Sequence, residues 1–400
     1  MPLPDFIDTY CANIADTSSP EQFKRWAVIA AIAGALERRV WIKTRKGAVF
    51  PNLFTFLVSS PGIGKTEAIN ITNDLWRGTK KLHVAPKRIS SAAVIDAIKE
   101  AEKIKIGGGG APNYEFHSLL MPIPEFTTFL QIYDTDMLGM ISDIYDCPAE
   151  FGERRRHVNS GKELEIIAPQ LNILAGIQPG IMSQVFPEQV WAQGFTSRII
   201  MIYAGGADEA GSLWGESEKV SQAILTKRFE GYCDLYGQFN LSDAAKLALD
   251  LWYKGGMMPT PEHSKLIHYK TRRILHALKL IMVSCVSRSD AKQIEVEDVT
   301  RGIRWLTEAE AVMPDIFREM VQKSDNDIIT ELHFAMWRAY MTNGQQPLHQ
   351  SMVWNFLQYR VASEKIPRIV ETAEKSHVIR RAALSNEHWI PNPKQKHGIE

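Results

Sequence analysis

Cysteine is scarce: four in 400 residues, Cys11, Cys147, Cys233 and Cys285, with no Cys-x-x-Cys pair. That spacing argues against a structural zinc motif and a disulfide framework, and it fits a reducing cytosol. Charge of either sign is not in excess. The 46 Lys and Arg balance 46 Asp and Glu, so no global field draws the chain to nucleic acid or membrane, and any polyanion site must be local. Long apolar runs are missing too. The longest, "WAVIAAIAGAL" (Trp26 to Leu36), falls short of the ~20 residues that cross a bilayer. The opening "MPLPDFIDTYCANIADTSS" carries acids and no basic n-region, which speaks against a secretory signal. No internal repeat or low-complexity segment interrupts the chain. The expectation is a soluble, intracellular protein with no membrane partner.

What is there is ordinary globular material, 45% hydrophobic and 23% charged, in a length that suits two or three domains. Pro20 to Val40 reads as one helix. "RRVWIKTRKGAVFPNLFTFLVSS" gives strand, turn, strand, and the second strand is apolar on both faces, as central strands of parallel sheets are. Lys65 to Arg77 and Ser90 to Lys103 read as helices, the second with a cap-competent Ser. "HSLLMPIPEF" is a strand ending at Glu125, "TTFLQIYDTDMLGMISDIYD" a helix, and "APQLNILAGIQP" and "RIIMIYA" two more buried strands. This alternation predicts an α/β layered domain with a largely parallel sheet over 46–205, after an N-terminal helical segment, 1–45. From 206 to 322 the periodicity is helical and predicts a small all-helical domain. "KSDNDI" (Lys323 to Ile328) reads as a polar linker. Residues 325–400 then show three helices followed by a two-strand wing, the order of a winged helix.

Between the second strand and its following helix stands "SSPGIGKT", Ser59 to Thr66. A phosphate-binding loop turns successive backbone N–H groups and a helix N-terminus toward oxyanions, with Lys as a mobile positive charge. Ser60, Pro61, Gly62, Ile63, Gly64, Lys65, Thr66 and Glu67 form the expected nucleotide-binding set, with Lys65 on the terminal phosphates and Thr66 on Mg²⁺. The pattern departs from the usual one at Ser59, where Gly is customary. ATP and Mg²⁺ are the expected ligands. Glu125, at a strand end, is the candidate for orienting water, although Pro124 stands where many such ATPases have an Asp. Gln178, at the next strand end, would meet the γ-phosphate. Arg198, just before the last strand, would reach a neighbouring subunit's nucleotide.

Loop, acidic strand end, polar strand end, Arg and helical lid occur in the order of the AAA+ ATPases, which this chain resembles. "HYKTRRILHALKLIMVSCV…EVEDVTRGIRWL" is similar to the lid of MCM-type helicases, and the resemblance makes Arg272 or Arg273 a γ-phosphate sensor. "LERRVWI", "PNLFTFLVSSPGIGKTEAI", "IPEFTTFL", "IYDCP" and "GFTSRIIMIYA" look like a family of phage and prophage P-loop proteins found in replication modules and often fused to primases. The resemblance implies a P-loop AAA+ core with an all-α lid and a C-terminal winged helix. It further implies a ring or helical homo-oligomer, a hexamer by analogy, in a bacterial host's cytoplasm, with primase, host helicase or other replication proteins as partners.

Single-stranded DNA is the expected polymer partner. The hairpin "ERRRHVNSGKELEI" falls where related helicases insert one into the ring's pore, so Arg154, Arg155, Arg156 and Lys162 would contact phosphates. In the C-terminal domain Lys365, Arg368 and Lys375 would lie on the recognition helix, with Arg380 and Arg381 entering the wing. That domain is only mildly basic, with eight basic against five acidic residues from Gly344 onward. Trp337, Trp354, Phe356 and Tyr359 sit at helical spacing and read as core. Three functions stay open: an ATP-driven replicative helicase, a helicase loader or initiator, and an interaction protein that binds nucleotide only to hold its fold.

Overall fold

The computed structural model describes residues 4–86, 88–105, 114–129, 134–153, 164–186, 190–191, 194–208, 220–358, 360–361, 363–382 and 385–392. They fall into two compact units, Met1–Phe317 and Arg318–Glu400.

The first unit opens with helix α1 (Phe6–Asn13) and helix α2 (Glu21–Leu36). Every residue of α2 from Trp26 to Leu36 is buried, as its all-round apolar sequence requires of a central helix. Strands β1 (Val40–Thr44) and β2 (Gly47–Val49) form an antiparallel pair. Next comes β3 (Phe54–Val58), buried at every position, then helix α3 (Lys65–Gly78). Helix α4 (Ser91–Glu100) begins where the sequence placed its cap: the Ser90 side chain accepts from the Ala93 N–H. Strands β4 (Glu102–Lys105) and β5 (Tyr114–Ile123), helix α5 (Thr135–Tyr145), strands β6 (Glu150–Glu153), β7 (Leu164–Ile167) and β8 (Pro169–Ile177), helix α6 (Pro179–Val185) and strand β9 (Ile199–Tyr203) follow.

The central sheet has the order β4-β5-β8-β3-β9. Strands β5, β8, β3 and β9 run parallel, and only β4 is antiparallel. The expected mixed α/β architecture with a parallel sheet is therefore present. Rings fill one part of its core: Phe56 and Phe126 stand 4.7 Å apart between centroids, as do Phe54 and Tyr145. Register decides what lies at each end of the sheet. Val58 is level with Ile177 and Tyr203, and Ile123 is level with Ala175. The segments after β3, β5 and β8 therefore emerge together.

Residues 206–322 are not all-helical. Helices α7 (Gln222–Tyr232), α8 (Asp243–Lys254) and α9 (Ile267–Ser289) are joined by strands β10 (Gly237–Leu241) and β11 (Gln293–Ile294). These strands form a second sheet of order β11-β10-β1-β2, in which β1 pairs in parallel with β10, Val40 opposite Gly237. "GQFNL" is too short and too polar to announce a strand, and its partner lies about 200 residues away.

Helix α10 (Val296–Thr342) runs through the expected linker at 323–328. "KSDNDI" is polar but holds no Gly or Pro, and polarity alone does not stop a helix. The second unit continues with β12 (Leu348–His349), α11 (Gln350–Leu357), α12 (Ile366–Lys375), β13 (Ile379–Ala382) and β14 (Ser385–Pro391), its strands ordered β12-β14-β13. Leu332, Val353, Leu357, Ile366, Ile369 and Trp389 are among its core residues. Of the aromatics read as core, Phe356 packs against this cluster, while Trp354 is 44% exposed and Tyr359 lies outside the described residues. Among the described residues no helix is long and apolar enough to cross a membrane.

Candidate functional site

Because β3 and β8 end level and β5 ends within two residues of them, a cleft of about 380 Å³ opens at their carboxyl ends. It is lined by Pro61 to Glu67 of the loop, by Glu125 and Thr127 after β5, by Gly176 to Gln178 at the end of β8, and by Ser18. The sequence-predicted residues Lys65, Thr66, Glu125 and Gln178 thus share one concavity. Ser60 belongs to the loop without lining the cleft. Glu125 and Thr66 are exposed there, and Lys65 and Gln178 are partly buried.

The loop closes through Gly64, whose φ of +76° is left-handed and forms the N-cap of α3. A side chain at that place would be strained, and its Cβ would stand 2.6 Å from Ser19 Cα. Lys65 folds back on the loop: its Nζ donates to Ser59 O at 2.7 Å, to Ser60 O at 2.8 Å and to Ser59 Oγ at 3.0 Å. Ser59, the departure from the usual pattern, is therefore a third oxygen for the ammonium. A mobile cation at a helix N-terminus, facing a polar cleft, is suited to receiving an oxyanion.

Three contributors escaped the sequence reading. Ser18 Oγ hydrogen-bonds Glu67 Oε2 at 3.2 Å, and Ser19 is buried against Gly64 with no hydrogen-bond partner for its Oγ among the described residues. Both come from the loop before α2, and nothing local in "TSSP" announces them. Gly176 lies inside β8, where a Cβ would meet Pro124 O at 2.4 Å. A glycine within an apolar strand does signal such an approach, so that one was legible.

The arginines lie elsewhere. Arg198 precedes β9, whose first residue Ile199 is level with Phe54 at the amino end of β3. A five-residue strand spans about 17 Å, so Arg198 stands at the opposite end of the sheet from the loop. Its Nη2 lies 2.5 Å from Asp146 Oδ2, and its Nη1 donates to Gly194 O at 2.9 Å. Arg272 grips the same carboxylate, Nη1 to Oδ1 at 2.8 Å and Nη2 to Oδ2 at 3.4 Å. Burial works to raise the Asp146 pKa, but the hydrogen bonds from Arg272 and Arg198 outweigh it and hold the carboxyl below its ordinary value.

Arg273 points into the interior instead of joining this pair. It is wholly buried and paired with Glu310, Nε to Oε1 at 2.8 Å and Nη2 to Oε2 at 2.6 Å, with Pro259 O taking a further bond. Nearly two turns along α9, Lys279 is buried with no carboxylate paired to it among the described residues. It donates to Asn52 O at 2.8 Å and Oδ1 at 2.7 Å and lies 3.9 Å over the Tyr145 ring. Burial lowers its pKa to about 7. Burial also pushes His276 down to about 3, so its ring is neutral.

Of the expected DNA contacts, Arg154, Arg155, Arg156 and Lys162 lie outside the described residues. The strands that would carry them, β6 and β7, do pair antiparallel, Glu153 opposite Leu164. In the second unit Lys365 and Arg380 are exposed. The other three are matched by acids: Arg368 with Asp325 at 3.9 Å, Lys375 with Glu371 at 2.6 Å and Arg381 with Glu374 at 3.1 Å. Among the described residues no group of three or more His, Cys, Asp or Glu could hold a metal ion. Mg²⁺ commonly takes most of its ligands from waters and substrate phosphates rather than from a cage of side chains. In comparison with known proteins, the chain matches no family model and no curated protein sequence.

Proposed function

We propose that this protein is an ATPase of the P-loop AAA+ kind that drives DNA replication as an oligomeric helicase on single-stranded DNA. The observation that carries the reading is the convergence of Lys65, Thr66, Glu125 and Gln178 on one cleft at the carboxyl ends of parallel strands. Bound ATP with Mg²⁺ supplies the anhydride bond to be split and the charge neutralisation around it. Lys65 exchanges its serine oxygens for phosphate oxygens. Thr66, at the first turn of α3, offers a hydroxyl to the metal. Glu125 faces the same space and orients water, and Gln178 positions the terminal phosphate. Arg198 and Arg272, too far along the sheet for their own chain's cleft, act on that of a neighbouring copy.

Lys65→Ala should abolish tight ATP binding, while Glu125→Gln should retain binding and lose turnover, measured by nucleotide titration and phosphate release. Hydrolysis by Glu125→Gln at the parental rate would remove Glu125 from its role. A second reading, an ATP-switched loader or initiator, draws on the acid-matched basic residues of the second unit, which suit a protein contact better than DNA. Strand displacement by the purified protein alone separates the two: the motor unwinds and the loader does not.

A further inference from the structure

Two guanidinium groups closing on one carboxylate make the fork geometry with which arginines take up oxyanions. Here the carboxylate belongs to the chain itself, and its position is odd. Asp146 is the C-cap of α5, the end of a helix where negative charge is disfavoured. Its side chain is 44% exposed, so the arginines are not there to neutralise a deeply buried acid. Arg198, in contrast, is buried to nine-tenths of its side chain, and its Nε has no hydrogen-bond partner among the described residues. A nearly buried arginine with a donor to spare is incompletely satisfied by one carboxylate. Arg198 and Arg272 therefore face a single negative charge.

We propose that Asp146 is a built-in competitor, occupying an anion site made by Arg198 and Arg272 that is meant for a phosphate group presented by a second copy of the chain. This rests on the reading of the cleft as a nucleotide site and adds regulation to it. In an isolated subunit the arginines are held shut by their own carboxylate. When another subunit brings a polyphosphate, the more highly charged ligand displaces Asp146. The exchange breaks two intramolecular ion pairs and forms two intermolecular ones, so hydrolysis waits for assembly.

Inorganic tripolyphosphate is the probe, titrated calorimetrically into chains carrying Lys65→Ala so that the loop no longer dominates binding. Adding Asp146→Asn should tighten binding roughly tenfold or more, as expected for removing one like charge at a half-exposed site. Adding Arg272→Ala to that variant should abolish the gain, and Asp146→Glu in place of Asn should keep binding weak. Equal affinity with and without Asp146→Asn, or a gain that survives Arg272→Ala, overturns the proposal. Asp146→Ser substitutes if the Asn variant does not fold. Phosphate release by the parent chain is measured alongside. Its absence would sink the ATPase reading while leaving the anion-site result to stand or fall separately.

Discussion

Replacing Gly176 by Ala tests whether the two strand ends really form one catalytic unit. The added methyl would lie 2.4 Å from Pro124 O and 3.4 Å from Ile69 Cδ1. A carbon and a carbonyl oxygen settle at about 3.3 Å, so the end of β5 must retreat by about 1 Å. Pro124 carries Glu125 with it, whereas the loop hangs from β3 and stays in place. Nucleotide affinity should therefore fall little, because Lys65 and the α3 N-terminus are untouched. Turnover should fall by as much as ~100-fold, the effect of misplacing a reacting group by about 1 Å. The melting temperature should drop as well, since overpacking costs ~1–3 kcal/mol. The assay is phosphate release at saturating ATP, with affinity from a fluorescent nucleotide and folding from circular dichroism. Parental turnover in a folded Gly176→Ala chain would refute the argument, because it would mean that the Pro124–Glu125 position does not govern the chemistry.

Lys279 should make stability depend on pH. Its proton is lost near pH 7 in the folded chain and near 10.5 in the unfolded one, so between those values the unfolded state holds the extra proton and stability rises with pH. From pH 9 down to 7 the wild type should lose stability, and Lys279→Met should flatten that slope by up to ~1.4 kcal/mol per pH unit, read from urea denaturation at fixed ionic strength. An unchanged slope would show the ammonium to be solvated. Mixing Arg198→Ala with Lys65→Ala subunits should restore hydrolysis that neither shows alone, since a mixed interface can contain one intact site; no recovery at any ratio would rule out action on a neighbour. Arg154, Arg155 and Arg156 changed together to Ala should weaken stimulation by single-stranded DNA and lower the salt slope of binding by roughly two to three. An unaltered slope would show these arginines to be merely solvated.

The elements that position the cleft were legible because their causes are local. β3 is apolar on both faces, Ser90 caps its helix, and "PGIGKT" needs the left-handed Gly64 it contains. Gln178 and Glu125 could be placed at strand ends for the same reason, and parallel register did the rest. What stayed hidden depends on pairs distant in sequence. Asp146 reads as an ordinary helix-end acid until Arg198 and Arg272 are seen on it, 52 and 126 residues away. Adjacent Arg272 and Arg273 look equivalent in sequence, and only their partners, Asp146 and the buried Glu310, tell their surroundings apart. The basic residues of α12 and β13 promised a charged surface, but Glu371 sits one turn from Lys375 and Glu374 meets Arg381 across elements. Three-dimensional pairing, which composition does not record, sets acids beside Lys375 and Arg381.

The second sheet has a consequence for how the chain is made. β1 leaves the ribosome about 200 residues ahead of its parallel partner β10. At ~5–20 residues per second that is a wait of about 10–40 s. Through this interval one edge of β1 can pair at once with β2, the hairpin partner only a turn away, while the other stands open. An open strand edge is a template for wrong partners. Brevity offers some protection, because β1 has five residues and β2 only three. The arrangement makes birth order and fold order different things. The sheet that β1 and β2 begin is completed, through β10 and β11, only after most of the first unit has emerged.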